Sequence, residues 1–161
     1  MKRRTFIYTA LISSTVQVPF LSSKQLIIDS WNVIYQTQEV LFPKQKDAPS
    51  ASEFGATIYL KNASTHHSFN PDDLRFLNDG AIELLRIEKN FLTQTSEEKN
   101  KTLQEFSKTT FGENWLSLLL FYTIEALVSD PIYGGNKNRL GWKWLKHNAG
   151  IPRPKVRYAK L

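Results

Sequence analysis

The sequence predicts an all-α protein, a small irregular helical bundle that ends in a Gly-rich loop and a basic tail. Three observations carry this. Apolar residues recur at helical spacing along most of the chain, no alternating run is long enough to build a sheet, and two helix starts are written out in capping residues. A chain of 161 residues has room for one core, so residues 1–22 are expected to be a signal segment and 23–161 a single helical domain.

The first helix is expected over 25–41, where Leu26, Ile27, Trp31, Ile34 and Tyr35 fall at helical spacing and Phe42-Pro43 supplies the stop. A polar loop follows over 44–52, with Ala48-Pro49-Ser50 at its turn, and then a short helix over 53–60. Asn70-Pro71-Asp72-Asp73 reads as a helix start, because an N-cap amide, a first-turn proline and two acids complement the free amides and the dipole. Its inner face is Leu74, Leu77, Ala81, Leu84 and Leu85. Thr95-Ser96-Glu97-Glu98 fits a capping box for a peripheral helix to about 108, with a thin apolar face of Leu103 and Phe106. The longest apolar helix runs over 113–129, with Leu116, Leu119, Leu120, Ile124 and Leu127 as its expected inner stripe and Asp130-Pro131 as its end.

At the N-terminus, Lys2-Arg3-Arg4-Thr5-Phe6 precedes a Ser/Thr-diluted apolar run to Leu21 without acid or base. Paired arginines, Phe6 two places on and a weakly apolar core form the pattern of a twin-arginine export signal. The run is too short and too polar to read as a membrane span of about 20 residues. The chain has no cysteine, which excludes disulfides, thiol nucleophiles, cysteine zinc sites, thiolate iron–sulfur clusters and covalent c-type haem from it.

Charge is strongly segregated. From Gly134 onward stand Lys137, Arg139, Lys143, Lys146, Arg153, Lys155, Arg157 and Lys160 with no acid, and these eight against a net of +6 leave the remainder at −2. With Tyr133, Trp142, Trp144 and Tyr158 interleaved, this tail suits an acidic protein face, an anionic membrane surface or nucleic acid, and an export signal argues against the last.

No catalytic residue is identified and no metal site is expected. His66 and His67 are adjacent and therefore diverge, His147 is alone, and the acid pairs Asp72-Asp73 and Glu97-Glu98 are accounted for by helix starts. The chain has no nucleophile elbow, zinc-protease, dinucleotide-binding or phosphate-loop pattern. Twin-arginine export serves proteins that fold before crossing, often around a cofactor. A chain with that signal and no cofactor motif is explained if it travels with a cofactor-loaded partner.

The segment 130–142 is the most specific on the chain. Asp130-Pro131 leaves the helical region, Gly134-Gly135 permits positive φ, Asn136 tolerates the left-handed region, and Tyr133 and Trp142 flank the turn as amphipathic anchors. Two arrangements are open to it: a surface presented to a partner with Tyr133 or Trp142 as anchor, or a wholly internal loop with Asp130 capping the Gly-Gly turn and Trp142 in the core.

Ser129-Asp130-Pro131-Ile132-Tyr133-Gly134-Gly135-Asn136-Lys137 with Gly141-Trp142, preceded by the paired arginines, Leu41-Phe42-Pro43 and the loop from Ala48-Pro49 to Gly55, resembles the gluconate 2-dehydrogenase small-subunit family. The resemblance implies a non-catalytic small subunit beside a large FAD-bearing dehydrogenase of the glucose–methanol–choline type, and often a multihaem cytochrome c. It implies further that the small subunit assists folding and twin-arginine export of the large one and stays bound to it. The complex would then be periplasmic and held at the cytoplasmic membrane. By position, Asp130, Pro131, Tyr133, Gly134, Gly135, Asn136, Gly141 and Trp142 form the family-type loop, and Arg3, Arg4 and Phe6 engage the translocase. The competing readings are an exported basic binding module for an anionic membrane or nucleic acid, and a free-standing enzyme.

Overall fold

The computed structural model describes residues 23–157, with side chains from Ser30 onward. Arg3, Arg4 and Phe6 lie outside the described residues, as do the side chains of Leu26 and Ile27 and, in the tail, Tyr158 and Lys160. Among the described residues the structure is helical and contains no strand: α1 (Ser23–Leu41), α2 (Ala51–Phe54), α3 (Ala56–Ala63), α4 (Pro71–Ile87), α5 (Ser96–Phe106), α6 (Thr110–Val128) and α7 (Leu140–Trp144), with 3₁₀ turns at Phe91–Thr93, Pro131–Tyr133 and Lys137–Arg139.

The helix starts form as their residues dictate. Asn70 accepts a hydrogen bond from the Asp72 amide at 3.0 Å with Pro71 following it. Thr95 and Glu98 close a reciprocal capping box at the head of α5. Ser50 and Glu53 make a second box, so that the expected polar loop ends two residues early and α2 begins at Ala51. The single short helix expected over 53–60 is two, broken at Gly55, which sits at φ 81°. A Cβ at that position would stand 2.8 Å from the Gly134 carbonyl oxygen, so the break brings the backbone against the later loop.

α1 lies against α4, α3, α5 and α6, and α6 packs on both α3 and α4. The main core gathers Val33 and Ile34 of α1, Leu77, Ala81 and Leu84 of α4, Phe91, Leu103 and Phe106, and Trp115 and Leu119 of α6. Gly80 permits the closest approach in it: a Cβ there would fall 2.0 Å from Trp115 Cδ1, and the indole Nε1 donates to the Leu77 carbonyl at 2.9 Å. Gln38, fully buried, ties three helices together by donating to Thr123 Oγ1 (3.0 Å) and accepting from Thr57 Oγ1 (2.6 Å). A second cluster of Ala51, Phe54, Ala56, Tyr59, Ala126 and Leu127 underlies the segment 130–142, with Tyr133 packed on it.

Two expected faces hold only in part. In α1 Ile34 is buried as expected and Trp31 packs against the core, but the buried set also holds Ser30, Val33, Thr37 and Gln38, and Tyr35 is exposed. In α6 Leu119 and Leu127 are buried as expected, together with Trp115, Tyr122, Thr123 and Ala126, while Leu116 and Leu120 are only partly covered and Ile124 is exposed. α6 is apolar nearly all round, so helical periodicity alone allowed either stripe; the volume of Trp115 against Gly80 selects the observed one.

Candidate functional site

α6 ends at Val128, and its last carbonyls have no partners within the helix. The segment 129–142 supplies them. Trp142 Nε1 donates to the Val128 carbonyl at 2.8 Å, Asn136 Nδ2 donates to the Ser129 carbonyl at 2.9 Å, and Ser129 Oγ donates to the Ala126 carbonyl at 3.1 Å. Asn136 is fully buried at φ 45°, and its Oδ1 accepts from the Gly141 amide at 2.9 Å, so one side chain joins both ends of the loop. Gly135 and Gly141 are glycines because of proximity: a Cβ would lie 2.5 Å from the Ala126 carbonyl oxygen and 2.0 Å from that of Leu127, respectively. Gly134, at φ 97°, turns the chain, and a Cβ there would meet Asn62 Nδ2 at 2.3 Å. That same Asn62 amide donates to the Tyr133 carbonyl at 3.1 Å and so clamps the loop onto α3.

Asp130 caps the 3₁₀ turn after it, accepting from the Ile132 amide at 3.1 Å, and does not cap the Gly-Gly turn. Its carboxylate also receives a two-pronged bond from Arg153, Nε to Oδ2 at 2.8 Å and Nη2 to Oδ1 at 2.9 Å. The Arg153 bond, with the Ile132 amide adding to it, holds the Asp130 carboxyl below the usual carboxylate range against the opposing effect of burial. The Arg153 guanidinium lies over the Trp142 ring at 5.1 Å, which straps the tail to the loop.

The segment therefore divides. Gly135, Asn136, Gly141 and Trp142 face inward, whereas Asp130, Pro131, Tyr133 and Gly134 are only partly buried. Tyr133 lines an open groove of about 480 Å³ together with Tyr59, His66, Phe69, Phe121 and Tyr122. The groove adjoins an apolar surface on α6, where Phe121 (58% exposed), Ile124 and Val128 form one stripe at i, i+3 and i+7, and Ile58 of α3 stands exposed beside Gly134. Tyr122 anchors the groove wall by donating to Asp73 Oδ2 at 2.6 Å; burial and that carboxylate push its phenol well above the ordinary tyrosine range.

A family model described as gluconate 2-dehydrogenase subunit 3 matches residues 28–150. The chain belongs to that family. The matched region runs from within α1 to just past α7 and contains the whole 130–142 loop, while Arg153 and residues 1–27 fall outside it. Comparisons with curated proteins and with solved structures gave no match.

Among the described residues no group of three or more His, Asp or Glu is placed to hold a metal ion. His66 and His67 do come together, with ring centroids 4.2 Å apart. Sequence reasoning did not find the roles of Gly55, Asn62 or Arg153, which for the last two depend on contacts 71 and 23 residues away. The exposed stripe of α6 did have a sequence signal, since a helix apolar all round in a small domain has more greasy surface than one core can cover.

Proposed function

We propose that this member of the gluconate 2-dehydrogenase subunit 3 family is the non-catalytic small subunit of a flavin-dependent sugar or alcohol dehydrogenase. It assists folding of a large FAD-bearing subunit of the glucose–methanol–choline type, brings it through the twin-arginine translocase by way of Arg3, Arg4 and Phe6, and stays bound to it in the periplasm. A multihaem cytochrome c completes the assembly at the membrane. The observation that carries this reading is the neutral apolar surface of Phe121, Ile124, Val128 and Ile58 beside the Tyr133 groove. A monomer exposing these side chains together has a surface suited to a protein partner.

Within the loop the roles separate by burial. Trp142 is spent on its own chain, capping α6 and lying under Arg153, so the anchor offered to the partner is Tyr133 together with Phe121. Asn136, Gly135 and Gly141 act one step back, by fixing the loop that positions Tyr133. The dehydrogenase chemistry and the flavin belong to the partner.

The test is affinity purification of the tagged chain from the periplasm of its native host, read by the flavin absorbance of what comes with it. A large flavin-bearing subunit should co-purify, should be lost with Tyr133→Ala combined with Phe121→Asp, and should be missing from the periplasm when Arg3 and Arg4 become Lys. A colourless chain recovered alone overturns the reading.

A further inference from the structure

The described tail from Lys137 to Arg157 carries seven cations and no acid. Arg153 is engaged by Asp130 and Arg157 by the Ile132 carbonyl, whereas Lys137, Arg139, Lys143 and Lys146 are exposed and make no ion pair among the described residues. Arg139, Lys143, Lys146, His147, Ile151 and Arg153 line one open cleft of about 630 Å³. The base under these cations is firm. α7 is fixed to α6 through Trp142 and to Asn136 through the Gly141 amide, and the His147 amide donates to the Trp142 carbonyl at 2.8 Å.

Set among the cations are large apolar side chains left exposed to different degrees: Trp144 (41%), Leu145 (48%), Val156 (60%) and Ile151 (94%). The pattern is unlike that of the α6 face, which is apolar and carries no exposed cation in its stripe. A protein partner needs a fitted pocket for each such residue, and stacked bases suit Trp144 but not Leu145, Ile151 or Val156. A fluid apolar layer beneath a negatively charged surface accepts all of them at once, with Trp144 at the interfacial depth that tryptophan favours. No helix among the described residues is long and apolar enough to cross a membrane.

We infer that α7 and the segment that follows it seat this chain directly on an anionic phospholipid surface, leaving the α6 face for its protein partner. Each Lys or Arg brought to such a surface strengthens binding about fivefold, so neutralising two weakens it roughly 25-fold.

The experiment is co-sedimentation of the full chain with vesicles of phosphatidylcholine containing phosphatidylglycerol, compared with phosphatidylcholine alone. Because Lys2, Arg3 and Arg4 also attract anionic vesicles, the variants decide the matter. Lys143→Gln with Lys146→Gln should lower partitioning into anionic vesicles roughly 25-fold. Trp144→Ala should lower it several-fold without changing its salt dependence, and all three substitutions lie at exposed positions where circular dichroism should be unchanged. Equal binding to both vesicle types, variants that bind like the parent, or an oligonucleotide that outcompetes the vesicles would each overturn the inference. Retention of the flavin-bearing partner by the same variants separates failure here from failure of the subunit reading.

Discussion

Replacing Asn136 by Ala isolates what holds the 130–142 loop. The side chain is fully buried, its amide serves the Ser129 carbonyl at 2.9 Å and its oxygen takes the Gly141 amide at 2.9 Å. Alanine leaves both backbone groups without those partners, at about 1–3 kcal/mol each. It also places a Cβ-bearing residue with no local side-chain hydrogen bond at φ 45°, which costs about 1–2 kcal/mol more than glycine there. The backbone cost is one Asn already bears, so the loss from Asn to Ala is the two hydrogen-bond terms, ~2–4 kcal/mol at the lower half of their range, a large share of the roughly 5–15 kcal/mol that holds a domain of this size together. That corresponds to a fall in Tm of about 5–15 °C. Urea unfolding of the full chain followed by circular dichroism measures it, with Asn136→Gly as the second arm. Glycine removes the same hydrogen bonds but tolerates the backbone angle, so it should recover ~1–2 kcal/mol of the deficit. A loss below about 1 kcal/mol for Asn136→Ala would refute the assignment of Asn136 as the tie between the ends of the loop, and equal losses for the two variants would refute the backbone cost at φ 45°.

The remaining expectations concern other contacts. Gly80→Ala drives a methyl into Trp115 and should destabilise the chain by ~1–3 kcal/mol while blue-shifted indole emission moves towards red, whereas unchanged stability would mean α4 and α6 are not in close contact. The Asp130 carboxyl is depressed by Arg153, so the strap it forms is intact above the usual carboxylate range and is lost as pH falls through the lowered value. Tryptophan emission from the ring under Arg153 should therefore show an acid transition in the parent that Asp130→Asn abolishes, and a transition persisting in the variant assigns it elsewhere. Tyr122→Phe removes the bond to Asp73 and should cost about 1 kcal/mol; the parent phenol should resist ionisation in an alkaline absorbance titration beyond an ordinary tyrosine.

The loop also shows where sequence reading stops. Asp130-Pro131, the glycine pair and Asn136 announced a tight, shaped turn, and the positive φ at Gly134 and Asn136 follows from those residue types alone. Whether it faced inward or outward was open, because that depends on the far ends of its hydrogen bonds, at Asn62 and at the carbonyls of α6. Tyr133 and Trp142, equivalent as flanking aromatics in the sequence, part company once the Val128 carbonyl claims Trp142.

By itself the sequence determined the helical class, the capped starts of α4 and α5, the end of α6 at Asp130-Pro131 and the basic character of the tail, because these rest on side chains acting within a few residues of themselves. Tertiary structure alone decided which face of α6 is buried, since a helix apolar on every side offers no preference until Trp115 meets Gly80. It also decided the break at Gly55 and the strap from Arg153 to Asp130. In each case one partner lies far along the chain, and only folding brings the two within reach.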